Sequence, residues 1–351
     1  MLARKLPTLR AMKRFLLAIA CLIGLATGCS AAIKRDPAEL LKQSQEAFEK
    51  KDFDSAIKLL TQAIEANPKL APAIVLRGFA HAAKEDFAKA VEDYSTALKL
   101  EPKDERPLIF RAATYQAMKA YDKAIADYSE LVKRKPEDVE ALCSRGICQS
   151  LAGDDKKAFE DFDKAVGIAP KSAMARQLRG SAHAEAGRKT EALTDYKEAI
   201  HLEPNDARTY LYRAQLYLAE SQPEDALLDF EEVMRRAPDF SGAANDYAWT
   251  LATNPNDKVR DGRKAVKFAK DACHQSDYKH APTLDTLAAS YAEAGDWEEA
   301  LKWQEEATKL AETSHPKDVQ GMKERLLLYK EKRAYREDPK EEAKRRKAEQ
   351  P

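Results

Sequence analysis

From residue 37 onward the apolar positions fall into paired segments of helical period, each pair folded around a short polar turn such as Lys84-Glu85-Asp86 or Ala152-Gly153-Asp154. The pairs recur with a fixed period of 34 residues. Prolines mark it at Pro68, Pro102, Pro136, Pro170, Pro204 and Pro238, and alanines at Ala56, Ala90, Ala124, Ala158, Ala192 and Ala226. A constant period of this length predicts one helix-turn-helix unit copied in tandem, an extended scaffold and not a globular enzyme. Proline after each second helix stops that helix and aims the chain into the next unit.

Six regular units start at Pro37, Ala71, Glu105, Val139, Ala173 and Ala207. A small residue stands at the eighth place of each (Ser44, Gly78, Ala112, Gly146, Gly180, Ala214) and alanine at the twentieth. A bulky residue follows at the twenty-fourth: Leu60, Tyr94, Tyr128, Phe162, Tyr196, Phe230. Small residues let two helices approach closely, and the bulky side chain fills the gap beyond them. In these residues the chain resembles the tetratricopeptide repeat family. The resemblance covers about residues 37–311 and implies an all-α, right-handed α-solenoid of about eight units. Residues 37–240 hold the six regular units, and 241–311 hold two divergent ones with an insert at 254–262. A capping helix is expected within 312–336, and a charged, disordered tail from 337 to 351.

The resemblance also implies that certain first-helix places line a concave, partner-binding surface. Here those places and their neighbours give Val75, Phe79, Ile109, Phe110, Ile147, Leu178, Leu211, Tyr212, Leu218 and Trp249. This predicts a largely apolar groove suited to an amphipathic helix or an extended hydrophobic segment of another protein. The Lys/Asn set that holds a C-terminal carboxylate in chaperone-binding relatives is missing. The same side chains would also suit packing between neighbouring first helices, and both alternatives stay open.

A second pattern runs inside the first. Arginine recurs at the seventh place of five consecutive units (Arg77, Arg111, Arg145, Arg179, Arg213), and aspartate at the twenty-third (Asp93, Asp127, Asp161, Asp195, Asp229). Matched pairs at one spacing predict a structural ion-pair ladder. The alternative is an anion-binding track, which would make the protein an accessory subunit for a small anionic ligand or glycan.

The N-terminus brings in an address. Residues 1–28 carry a basic start and the apolar run Phe15 to Ala26, too short to span a bilayer comfortably but suited to a signal-peptide core. Thr27-Gly28-Cys29-Ser30 resembles the lipobox of bacterial lipoproteins, with Ala26 where leucine is usual. That resemblance implies lipidation at Cys29, a linker over 29–36, and passage to an outer membrane facing the periplasm. Signal-peptide physics also fits simple cleavage, and MKRFLLAIAC from Met12 is by itself a compact signal start, which leaves the true start open between Met1 and Met12. Over the whole chain 59 basic residues balance 59 acidic ones; without the five basic residues of the leader, the mature chain carries about −5. No basic stripe suggests nucleic acid.

Chemistry is scarce. Neither a GxGxxG nor a GxxxxGK[ST] run occurs, so a nucleotide cofactor has no support, and no cofactor or metal is expected. His81 and His183 share one repeat place and read as packing residues; Cys273, His274 and His280 lack metal-site spacing. Cys143 and Cys148 lie on one helix with their side chains turned apart. The insert at 254–262 lacks the alternating ligands of a calcium loop. The function expected is therefore a non-catalytic, membrane-anchored adaptor that holds other envelope proteins.

Overall fold

The computed structural model describes residues 36–338, and the leader, Cys29 and the linker before Asp36 lie outside them. The described residues form seventeen α-helices and no strand. In chain order these are α1 (Pro37–Glu49), α2 (Phe53–Ala66), α3 (Ala71–Ala83), α4 (Phe87–Leu100), α5 (Arg106–Ala117), α6 (Tyr121–Arg134), α7 (Val139–Leu151) and α8 (Asp155–Ile168). They continue as α9 (Ala173–Glu185), α10 (Lys189–Leu202), α11 (Ala207–Ala219), α12 (Pro223–Arg236), α13 (Ser241–Thr253), α14 (Gly262–Gln275), α15 (Ala281–Glu293), α16 (Trp297–Ser314) and α17 (Val319–Lys330). Sixteen of them pair into eight antiparallel hairpins of the α-solenoid class, and α17 follows the last.

The chain divides into two compact units, with the boundary between Pro170 and Lys171. That division falls inside the regular beat and not at the insert where the pattern changes.

Within each hairpin the phase residues do what their sizes dictate. The alanines at the twentieth place are all at most 1 % exposed, and the bulky residues four places on are at most 5 % exposed. A Cβ placed at Gly146 would lie 2.5 Å from the Phe162 ring, and one at Gly78 would lie 2.8 Å from Tyr94. The glycines therefore set how closely the two helices approach, and each buried ring contributes about 1.5–3 kcal/mol of hydrophobic stabilisation.

The hairpin turns show a further 34-residue phase. Lys51, Glu85, Lys119, Gly153, Gly187 and Ser221 all have positive φ, between 56° and 85°. Each ends its first helix with a left-handed residue, after which the next amide donates back to the last turn, as in Asp86 N to His81 O (2.9 Å) and Asp154 N to Gln149 O (2.8 Å). Only two of the six are glycine, so composition hid this device. Asp52 and Asp154, next in the chain, then cap the following helix by accepting from Ser55 N and Lys157 N.

The insert closes against the hairpin that follows it. Asp261 N donates to Leu251 O (3.0 Å), and Arg260 Nη1 donates to Asn254 O (2.8 Å). Gly262 opens α14 so close to the α15–α16 turn that a Cβ there would lie 2.5 Å from Ala294 N and 2.7 Å from Glu293 C. Backbone cannot move aside as a side-chain tip can, so only glycine fits.

Candidate functional site

The arginines and aspartates of the regular units form a ladder of ion pairs. In all five rungs the arginine Nε and Nη2 donate to the two carboxylate oxygens of the aspartate sixteen residues later, at 2.6–3.0 Å. This fork-to-fork geometry joins the two helices of one hairpin. The aspartates are 2–7 % exposed, so each needs its guanidinium to be tolerated in the interior. In the N-terminal unit the remaining nitrogen reaches the preceding hairpin: Arg77 Nη1 donates to Thr61 Oγ1 (3.4 Å), Arg111 Nη1 to Ser95 Oγ (2.9 Å) and Arg145 Nη1 to Ser129 Oγ (3.3 Å). Those hydroxyl residues keep the 34-residue beat themselves, a signal the sequence carried and the ladder reading missed.

One period after Arg213 the place is taken by Tyr247, whose hydroxyl donates to Glu231 on the preceding helix, with Lys264 Nζ 3.2 Å from the same carboxylate. The Tyr247 hydrogen bond holds the Glu231 carboxyl below its ordinary range. Near the C-terminus the polarity reverses. Asp285 on α15 accepts from Arg325 of α17 at 2.9 and 2.7 Å and from Gln304 Nε2 at 2.7 Å. With side chains only 9 % and 6 % exposed, this is the most deeply buried ion pair among those described.

The apolar first-helix residues divide by burial. Val75, Phe110 and Leu178 are 1 %, 7 % and 6 % exposed, which corrects the expectation that they line an open surface: they pack into the core. Phe79 is half-buried, edge-on to Phe48 of α1 and Phe110 of α5 with centroids 5.9 and 6.0 Å apart, so it ties three first helices together. Ile147, Leu211, Tyr212 and Leu218 are half-buried, Tyr212 stacking on Tyr196. Ile109 remains 37 % exposed. Arg106 and Arg208, the two basic residues at second places, each pair with the aspartate two residues earlier, Asp104 and Asp206.

Trp249 of α13 is covered by the chain itself. After α17, Lys332 takes positive φ (55°), and Arg333 N donates to Leu328 O (2.9 Å), the same turn that ends each first helix. No helix follows. Residues 333–338 run without regular secondary structure, with Tyr335 packed on the Trp249 ring at 5.9 Å and Glu337 Oε1 accepting from Trp249 Nε1 at 3.1 Å. Glu337 N donates to Thr253 O (2.9 Å), satisfying a carbonyl left over at the end of α13. Arg336 meets Glu293 at 2.6 Å, the carboxylate that Arg260 of the insert also holds at 3.0 Å. Glu337, expected to begin a free tail, is thus held in place; residues 339–351 lie outside the described ones.

The remaining reactive groups are quiet. Cys143, Cys148 and Cys273 are free and buried. Burial pushes the first two thiols up to about 12 and the third to about 11, so none is a thiolate at neutral pH. Burial also lowers His81 and His183, and Arg188, whose Nε donates to His183 Nδ1 at 2.8 Å, pushes the same way at the second. Both imidazoles therefore favour the neutral form in the fold. The stability this provides is complete above their unfolded pKa of about 6.5 and is lost as the pH falls through it toward the folded values. The melting temperature should drop between pH 7 and pH 5, before the carboxylates titrate, and less steeply in a His81→Gln/His183→Gln chain. An identical slope in that chain would remove the histidines from the account.

Paired helices, phase-locked glycines and a ladder of ion pairs define a helical-repeat scaffold. Tetratricopeptide repeat models match residues 41–105, 111–173 and 281–318, and a TPR repeat model matches 180–220, together more than half of the chain. The chain belongs to the tetratricopeptide repeat family, whose members bind other proteins or peptides. Among solved structures it is similar to a tetratricopeptide repeat protein from Parabacteroides merdae, with 22 % identity, a TM-score of 0.55, and coverage of 84 % of this chain and 98 % of that one. It is also similar to MamA from Desulfovibrio magneticus (20 % identity, TM-score 0.46, 50 % of this chain and 99 % of that). PilF from Pseudomonas aeruginosa matches at 17 % identity and TM-score 0.48, over 57 % of this chain and 92 % of that. No curated protein matches the chain.

Proposed function

We propose that the protein is a non-catalytic adaptor of the bacterial cell envelope, lipid-anchored at Cys29 to the outer membrane on its periplasmic side, whose repeats hold other proteins through their first-helix faces. The observation that carries the scaffold is the pairing of every ladder arginine with its own buried aspartate, while Ile109 and the half-buried Ile147, Leu211 and Leu218 keep apolar surface at the expected places. Guanidiniums already in bidentate pairs are poor candidates for an anion track. The anchor is supported by the apolar run followed by Gly28-Cys29-Ser30. Among the described residues no helix is long and apolar enough to cross a membrane.

Two substitutions test the two halves. Cys29→Ala should move the protein from the membrane fraction to the soluble one; persistence in the membrane would end the lipoprotein assignment. Capture with cross-linked full-length chain should recover envelope proteins, and Ile109→Glu should lose them with helicity unchanged. Recovery of a free anion or sugar and no protein would favour an accessory ligand-binding subunit instead.

A further inference from the structure

The segment Arg333–Asp338 behaves as a bound peptide would. It forms neither helix nor strand, lies on a first-helix face, and makes one backbone and several side-chain contacts with residues far away in sequence. Three consecutive side chains meet three different chemistries. Tyr335 packs on Trp249, Arg336 reaches the Glu293 carboxylate, and Glu337 accepts from the Trp249 indole. Beneath them the Arg325 guanidinium lies 5.4 Å from the Trp249 ring and 5.3 Å from the Tyr335 ring, a cationic floor between two aromatic faces. Arg325 is itself fixed by Asp285, so this floor is preorganised.

We propose that residues 333–338 are an intramolecular ligand that occupies the Trp249 face, and that the partner taken there is an extended protein segment with the same succession of aromatic, basic and acidic side chains, which displaces it. This rests on the first-helix faces being the protein-binding surface. The segment covers its site at the high effective concentration of a short tether, so a free competitor sees only the fraction of molecules in which the site is open. The insert takes part, since Arg260 holds the Glu293 carboxylate that Arg336 uses. The break in the 34-residue beat thereby acquires a role: it supplies an anchoring point for the segment.

The probe is a fluorescently labelled synthetic peptide of residues 331–338, titrated against full-length chains. It should bind the unsubstituted protein weakly and a Tyr335→Ala/Glu337→Ala chain at least about tenfold more tightly. Adding Trp249→Ala should cancel the gain. In the unsubstituted chain, the Glu337 amide should be protected from hydrogen exchange by Thr253 O, and excess peptide should strip that protection. A folded Tyr335→Ala/Glu337→Ala chain that gains no affinity, or a Glu337 amide indifferent to excess peptide, overturns the intramolecular ligand. Neither result touches the adaptor function, which fails separately if Ile109-dependent capture recovers no envelope protein.

Discussion

Replacing Asp285 by alanine should lower stability by about 3–5 kcal/mol, the range for breaking a buried ion pair by removing one partner. Three donors lose their acceptor at once: Arg325 Nε, Arg325 Nη2 and Gln304 Nε2. The guanidinium cannot shed its charge and lies against the Trp249 and Tyr335 rings. Gln304 Oε1 and Tyr329 Oη lack a protein hydrogen-bond partner, and these neutral acceptors do not replace the carboxylate charge that Arg325 loses. Because α17 and the segment after it hang on this pair, loss should appear first as rapid hydrogen exchange over Val319–Asp338 and then as an earlier thermal transition. Asp285→Leu with Arg325→Met should recover most of the loss, since burying two apolar chains avoids the unpaired charge. A single substitution costing less than about 1 kcal/mol, as for an exposed pair, would mean that water reaches the pair.

What could be read from the sequence followed the period. Helix pairs, the stop after each second helix and the close approach of Gly146 to Phe162 all sit at fixed phase, because one packing solution is repeated and each copy needs the same sizes at the same places. The Arg/Asp pairs were equally visible for the same reason. The Asp285–Arg325 pair was not: its members stand forty residues apart, off the beat, with the acid on a first helix and the base on α17 beyond the last hairpin. The returning segment was hidden more deeply. Its reversal at Lys332 uses a left-handed residue without glycine, as do four of the six hairpin turns, and the segment straddles the boundary between the capping helix expected within 312–336 and the tail expected from 337. Trp249 was picked out by phase alone; that its cover is supplied by the chain itself depends on a contact spanning 88 residues.

The apolar faces show the other limit of periodicity. A phase argument gives the direction in which a side chain points, not how close the next helix comes. Val75 and Ile109 stand at equivalent places in consecutive units, one 1 % and the other 37 % exposed. Phe48, Phe79 and Phe110 explain part of the difference. Their edge-to-face row fills the space between α1, α3 and α5 and encloses what lies behind it.

The second large effect is expected in the ladder. Arg145→Ala should cost about 2–3 kcal/mol, less than a fully buried pair because the arginine side chain is 20 % exposed and water can partly replace it. Asp161 would lose two charge-assisted hydrogen bonds at 2.6 and 2.7 Å while its side chain stays 7 % exposed, and Ser129 would lose the 3.3 Å contact that joins its hairpin to the next. The nearest-neighbour character of a repeat array then matters. Weakening one hairpin and its junction lowers the cooperativity with which adjacent hairpins unfold, so the thermal transition should broaden as well as shift. Arg145→Lys should rescue only part of the loss, because an ammonium keeps the charge but cannot make the two parallel bonds of the fork. If the ladder is structural, captured partners should bind the folded fraction of Arg145→Ala with unchanged affinity at low temperature. Lost capture with an unaltered melting curve would instead make the guanidiniums the binding groups, and the five buried aspartates would then be their occupants at rest and not their purpose.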